Sequence, residues 1–74
     1  MKTNNYYYYK VKVYSSITLY PLETYKKSNY KDAEMLFRVM KELDPYQNKR
    51  IELIKLVEDN KGNLMDWTLL REFN

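Results

Sequence analysis

The chain has no cysteine, no histidine, one glycine, one alanine and two prolines among its 74 residues. Without Cys there is no disulfide and no thiolate nucleophile. Without His there is no imidazole to bind a metal or to serve as general acid or base. One glycine cannot build a phosphate-cradling loop. The serines, Ser15, Ser16 and Ser28, have no imidazole to activate them. Glu52 and Lys55 lie three apart, so on a strand they point to opposite faces and cannot share a metal-bound water. Glu58 and Asp59 border a turn and read as solvated carboxylates. The expectation is a protein without catalytic activity, without a metal and without a cofactor.

Length and hydropathy narrow the reading further. A chain this short buries only about 60% of its unfolded surface, which leaves room for one domain. Met1 and Lys2 lead into polar residues and tyrosines rather than an apolar run of about 7–15 residues, so no secretion signal is expected. No stretch approaches the roughly 20 apolar residues that a membrane span needs. A soluble cytoplasmic protein with no membrane association is the expectation.

Against these absences stand nine tyrosines, eight of them within the first 30 residues. The net charge is only +3, too small to imply a nucleic-acid partner by itself. Its distribution is uneven: residues 1–31 hold six Lys and one Glu, whereas residues 32–74 hold seven basic and nine acidic side chains. Such asymmetry either marks an interaction face or reflects the lopsidedness of short chains. Residues with A/T-rich codons (Phe, Tyr, Met, Ile, Asn, Lys) number 35, and those with G/C-rich codons (Gly, Ala, Arg, Pro) number 7. Codon bias therefore accounts for part of the Tyr and Lys excess, but not for its concentration at the N-terminal end.

Residues 6–14, with four consecutive tyrosines and Val11 and Val13, have the aromatic and β-branched density of a strand. Alternation divides them. Tyr7, Tyr9, Val11 and Val13 form an apolar face that should meet the core. Tyr6, Tyr8, Lys10, Lys12 and Tyr14 form an aromatic and basic face open to solvent or a partner. Ser15 and Ser16 interrupt the run. Residues 17–20 resume the alternation, as a short second strand or a bent continuation, and residues 21–29 read as a loop.

Residues 30–43 carry the clearest helix. Asn29 can cap it, with Asp32 near its positive end. Ala33, Leu36, Phe37, Met40 and Leu43 recur at helical spacing. Glu34–Arg38 and Arg38–Glu42 are pairs four apart on the outer face. Asp44-Pro45 ends the helix. Met35 and Val39 widen the apolar arc to roughly 200°, where a surface helix shows about 100° or more. They either lie beneath the 21–29 segment or at a sheet edge, or they touch another chain, which makes them candidate dimer contacts.

Residues 50–58 and 64–73 read as a hairpin across Asp59-Asn60-Lys61-Gly62, with Gly62 at the position needing positive φ. Pairing Asp59 with Asn63 sets Val57 against Met65, Lys55 against Trp67, Leu53 against Leu69, Ile54 against Thr68 and Arg50 against Glu72. The order strand, short strand, helix, strand, strand predicts an α+β fold: a single helix packed on a three- or four-stranded antiparallel sheet. The expected sheet side of the core is Val11, Val13, Leu53, Val57 and Leu69.

Two functional readings follow. Tyr and Trp supply large contact areas with a polar handle and dominate protein–protein hot spots. Tyr6, Tyr8, Lys10, Lys12, Tyr14 and Tyr20 are the candidate partner-binding residues, with Trp67 either a further anchor or a core residue. The alternative is nucleic-acid binding, in which tyrosines on one strand face stack on bases while Lys10 and Lys12 meet phosphates.

The helix Tyr30-Lys-Asp-Ala-Glu-Met-Leu-Phe-Arg followed by Ile51-Glu-Leu-Ile-Lys-Leu resembles, as a pattern over roughly residues 6–73, short α+β proteins of phages and mobile elements in A/T-rich bacteria. Many of these, anti-CRISPR proteins among them, inhibit a host enzyme or defence complex by binding it. The resemblance implies a host or defence protein as partner. The positive net charge departs from the acidic DNA-mimic type, which leaves occupation of a partner's surface as the implied mechanism.

Overall fold

The computed structural model describes residues 5–15, 19–43 and 48–73. They form a strand β1 (Tyr6–Ser15), a short strand β2 (Glu23–Lys27), a helix α1 (Tyr30–Glu42), and the strands β3 (Lys49–Glu58) and β4 (Leu64–Phe73). The strands make one antiparallel sheet in the order β2-β1-β3-β4. The helix packs across β1, β3 and β2. This is the α+β architecture expected, with four strands. No helix among the described residues is long and apolar enough to cross a membrane.

The helix begins where its cap says it should. The Asn29 side-chain oxygen accepts from the Asp32 backbone N–H at 2.9 Å, and its Nδ2 donates to the Asp32 carboxylate at 3.0 Å. One free helix-end donor is thereby satisfied, and a negative charge sits by the positive helix end. Ala33, Phe37 and Met40 form the buried stripe. They meet Val11 and Val13 of β1 and Ile51 and Leu53 of β3, with Tyr9, Leu36 and Phe73 partly buried around them. Leu43, expected in the stripe, stands exposed as the extended C-cap residue. Asp44-Pro45 lies outside the described residues.

The second strand is not where alternation put it. Residues 17 and 18 lie outside the described residues, Leu19 and Tyr20 form a bend, and the strand occupies Glu23–Lys27, within the segment expected to be a loop. Its side chains show no strong apolar pattern. What makes it a strand is the free edge of β1: Tyr9 pairs with Lys27, Val11 with Tyr25 and Val13 with Glu23, and Leu22 N–H donates to the Val13 carbonyl at 2.7 Å. Backbone pairing against a neighbour overrides weak local preference.

The 59–63 turn matches its reading. Gly62 has φ 85°, and Asp59 N–H donates to the Asn63 carbonyl at 2.9 Å. The Asp59 carboxylate also accepts from Lys61 N–H and Asn63 N–H, each at 2.8 Å, and from Asn63 Nδ2 at 3.0 Å. The register beyond the turn differs from expectation. Glu58 faces Leu64, but Val57 then faces Asp66 and Leu53 faces Arg71, because irregularities after Val57 and Leu53 leave Met65 and Leu70 as extra residues. Leu69 pairs with Ile54 rather than Leu53, and Glu72 with Glu52 rather than with Arg50. Two β-bulges on one strand each skip a residue, and neither announces itself in the sequence by a glycine.

Candidate interaction surface

Size mismatch between the layers decides which residues stay uncovered. A 13-residue helix is about 20 Å long, while a 10-residue strand runs about 33 Å. The helix thus covers β1 and β3 from Val13 and Ile51 to about Tyr9 and leaves the hairpin end of the sheet bare. Tyr7, expected in the buried set, lies in that bare region and is 56% exposed, with the Lys55 ammonium 4.7 Å from its ring centroid. Val57 beside it is half-buried. The described residues measure 49 × 25 × 15 Å, with a radius of gyration of 13.5 Å against roughly 11 Å for a globular chain of this length.

The sheet face opposite the helix carries no second layer among the described residues. It presents Tyr6, Tyr8, Lys10, Lys12 and Tyr14 from β1, as alternation predicts, and Ile54 and Leu56 from β3 opposite Leu69 and Trp67 of β4. A shallow hollow of about 310 Å³ opens there, lined by Lys12, Tyr14, Glu52, Ile54, Leu56, Leu64 and Trp67. Its floor is buried and apolar. Its rim is exposed and joins apolar to charged side chains: Trp67 is 61% exposed, Leu64 and Leu69 are exposed beside it, and Lys12 and Glu52 supply the charges. Trp67 therefore stands on this face rather than in the core.

The candidate contact residues separate into three groups by exposure. Tyr6 and Tyr20 are exposed, and Tyr8, Lys10 and Lys12 are half-buried. Tyr14, expected as an exposed anchor, is only 8% exposed. The Arg50 guanidinium lies over its ring, 4.4 Å from the centroid, and ion-pairs with Glu52 at 3.6 Å. Burial raises the Tyr14 phenol above its ordinary pKa, and the neighbouring Glu52 carboxylate raises it further. Tyr14 belongs to the floor of the surface because its partner across the ladder to β3, Arg50, lays its guanidinium over the ring.

Tyr8 is held in place. Its hydroxyl donates to the Glu58 carboxylate, which raises the phenol pKa, chiefly through that hydrogen bond. The Lys26 ammonium sits 4.4 Å from its ring centroid and that of Lys10 at 5.9 Å. These cations occupy the π surface on which a nucleobase would stack. Glu52, Glu58 and Glu72 share the face with the lysines, so its charge is mixed rather than uniformly basic.

The helix presents a second apolar area. Met35 and Val39 are 55% and 50% exposed and, with Lys27, Asp32 and Leu36, line a groove of about 310 Å³ beside β2. They lie at the sheet edge beside β2, and the 21–29 segment leaves them about half exposed. On the other flank, Glu34 accepts from the Tyr30 hydroxyl and pairs with Arg38 at 3.7 Å and Arg71 at 3.6 Å, which ties the helix to β4. Its carboxyl is lowered below the usual range, first by the Tyr30 hydrogen bond and then by the two arginines.

The sequence reading missed Ile54, Leu56 and Leu64 as members of the surface. For Ile54 and Leu56 the signal is the near-continuous apolar content of 51–57, which marks a strand buried on both faces. Compared with protein-family models, with curated proteins and with solved structures, the chain matches none.

Proposed function

We propose that the chain is a non-enzymatic binding protein that occupies the surface of another protein with the uncovered face of its sheet. The observation that carries this reading is the hollow of Lys12, Tyr14, Glu52, Ile54, Leu56, Leu64 and Trp67: an apolar floor, an exposed tryptophan and a mixed-charge rim. An apolar centre ringed by polar groups is the anatomy of a protein interface. The partner chemistry that fits is a protruding aliphatic or aromatic side chain, flanked by carboxylates placed to meet Lys10, Lys12 and Lys26. The resemblance to phage and mobile-element proteins supports a host or defence protein as that partner, inhibited or modulated by occupation of its surface.

The nucleic-acid reading has less support. Lys26 and Lys10 lie against the Tyr8 ring, and carboxylates share the face.

The test is capture from a bacterial lysate with matched variants, the eluate being compared by mass spectrometry. A protein retained by the wild type should be lost with Lys12→Glu/Leu64→Ser and kept with Met35→Lys on the helix. Loss with Met35→Lys alone places the contact on the helix and overturns the reading. Titration with single-stranded DNA and RNA across a salt series checks the alternative. Affinity that falls steeply with salt and vanishes in Lys10→Glu/Lys12→Glu would establish nucleic acid as the ligand instead.

A further inference from the structure

The two edges of the sheet are built differently. β2 is five residues long, with Lys26 and Lys27 on it, the short and charged form that discourages pairing with another chain. β4 is ten residues long, carries Leu64, Met65, Trp67, Leu69, Leu70 and Phe73, and is exposed along its length except at Phe73. A long apolar edge of this kind is a template for another strand. From its side-chain order we infer that the other strand is β4 of a second copy, paired antiparallel about a two-fold axis at Thr68.

A two-fold interface requires a strand that is complementary to its own reverse. The bulge at Leu70 supplies this. Counted along the ladder with β3, Asp66 pairs with Val57, Thr68 with Lys55 and Arg71 with Leu53. Asp66 and Arg71 therefore stand two ladder steps on either side of Thr68, on the same face as Thr68. With Thr68 opposite its own copy, Asp66 of each protomer meets Arg71 of the other. On the opposite face, Trp67 of each meets Leu69 of the other. Opposed charges and an aromatic–aliphatic pair directly across a ladder are both favourable.

Other placements of the axis lose this match. On Leu69, it sets Trp67 against Glu72 and Asp66 against Phe73. On Arg71 or on Asp66, it sets like charges against each other. On Trp67, it leaves Asp66 opposite Thr68. The matched placement also leaves Arg71 within reach of Glu34 in its own chain, at 3.6 Å. The product is one continuous sheet of eight strands with both helices on one side and a single uninterrupted open face on the other. The inference is independent of what that open face binds.

The absence of cysteine makes the register testable. Residues directly opposite in an antiparallel pair have Cα atoms roughly 4.5–5.5 Å apart, within disulfide reach. Thr68→Cys in the full chain should oxidise to a covalent dimer at low micromolar concentration, at least ten times faster than Asp66→Cys or Met35→Cys. Sedimentation equilibrium of the wild type should give twice the monomer mass. Arg71→Asp should raise the dimer dissociation constant at least tenfold, and Arg71→Asp/Asp66→Arg should restore it, with circular dichroism confirming that each variant is folded. A monomer mass at every concentration up to a few hundred micromolar overturns the inference. So does faster cross-linking at Met35→Cys than at Thr68→Cys, which would place the dimer contact on the helix.

Discussion

The two arms of the hairpin, β3 and β4, are equal in length and similar in apolar content, yet they have opposite fates. β3 places Ile51, Leu53, Ile54, Leu56 and Val57 between two neighbouring strands, and four of these five are buried. β4 places Leu64, Met65, Trp67, Leu69, Leu70 and Phe73 at an edge, and only Phe73 escapes exposure. The difference is one of position. A central strand is flanked on both sides and lies under the helix. An edge strand has one neighbour and, here, little helix above it. In so small a chain, hydrophobic content exceeds what its own layers can cover, and the surplus collects on the strand farthest from the helix.

The sharpest test of that contrast compares truncation on the two arms. Leu53→Ala should destabilise the fold by about 2–5 kcal/mol, because it removes a fully buried side chain from beneath the helix. Met65→Ala, at an exposed bulge position of β4, should change stability by about 0.5 kcal/mol or less. Urea denaturation of both variants measures the difference. Equal effects would mean that β4 is as buried as β3 under the conditions of the measurement.

The turn joining the arms offers a smaller effect. Gly62→Ala should cost about 1–2 kcal/mol, since φ is 85° and a Cβ there meets nothing within 4 Å. The penalty is one of backbone conformation alone, so Gly62→Asn should recover part of it. A neutral Gly62→Ala in thermal melts would show that the turn relaxes to another form and that the arms do not depend on it for register.

The smallest effect is in acid. Hydrogen bonds from the Asn63 backbone, the Asn63 side chain and the Lys61 backbone hold the Asp59 carboxyl below its ordinary value near 3.8. A group lowered on folding stabilises the fold above its unfolded pKa, and that contribution disappears as pH falls from about 4 through the folded value. Asp59→Asn should flatten the stability–pH curve in this acid window and leave its slope above pH 5 unchanged. An unaltered acid slope would assign that dependence to another carboxylate, with Glu34 the first to examine.

Much of the fold is legible in the sequence because it rests on local chemistry. The helix follows from Asn29, Asp32 and the 33, 36, 37, 40 spacing, and the turn follows from Asp59 and Gly62. Alternation separates Val11 and Val13 from Lys10 and Lys12 without any knowledge of neighbours. The candidate interaction surface is legible only in part. Tyr6, Tyr8, Lys10 and Lys12 are on it as alternation requires, but Tyr14 is in its floor, and Ile54, Leu56 and Leu64 come to it through strand pairing.

The sequence by itself determined the elements that depend on residues within a few positions of one another: one capped helix, a strand of alternating Tyr, Lys and Val, and a glycine turn between two apolar segments. Tertiary structure alone decided the rest. It made a strand of Glu23–Lys27 because β1 had a free edge. It exposed Tyr7 because the helix is shorter than the strands it covers. It placed Leu69 and Trp67 on the open face because the bulge at Met65 advanced the register of β4. Each of these depends on the length, edge or spacing of a partner distant in the chain, and no local preference encodes such a quantity.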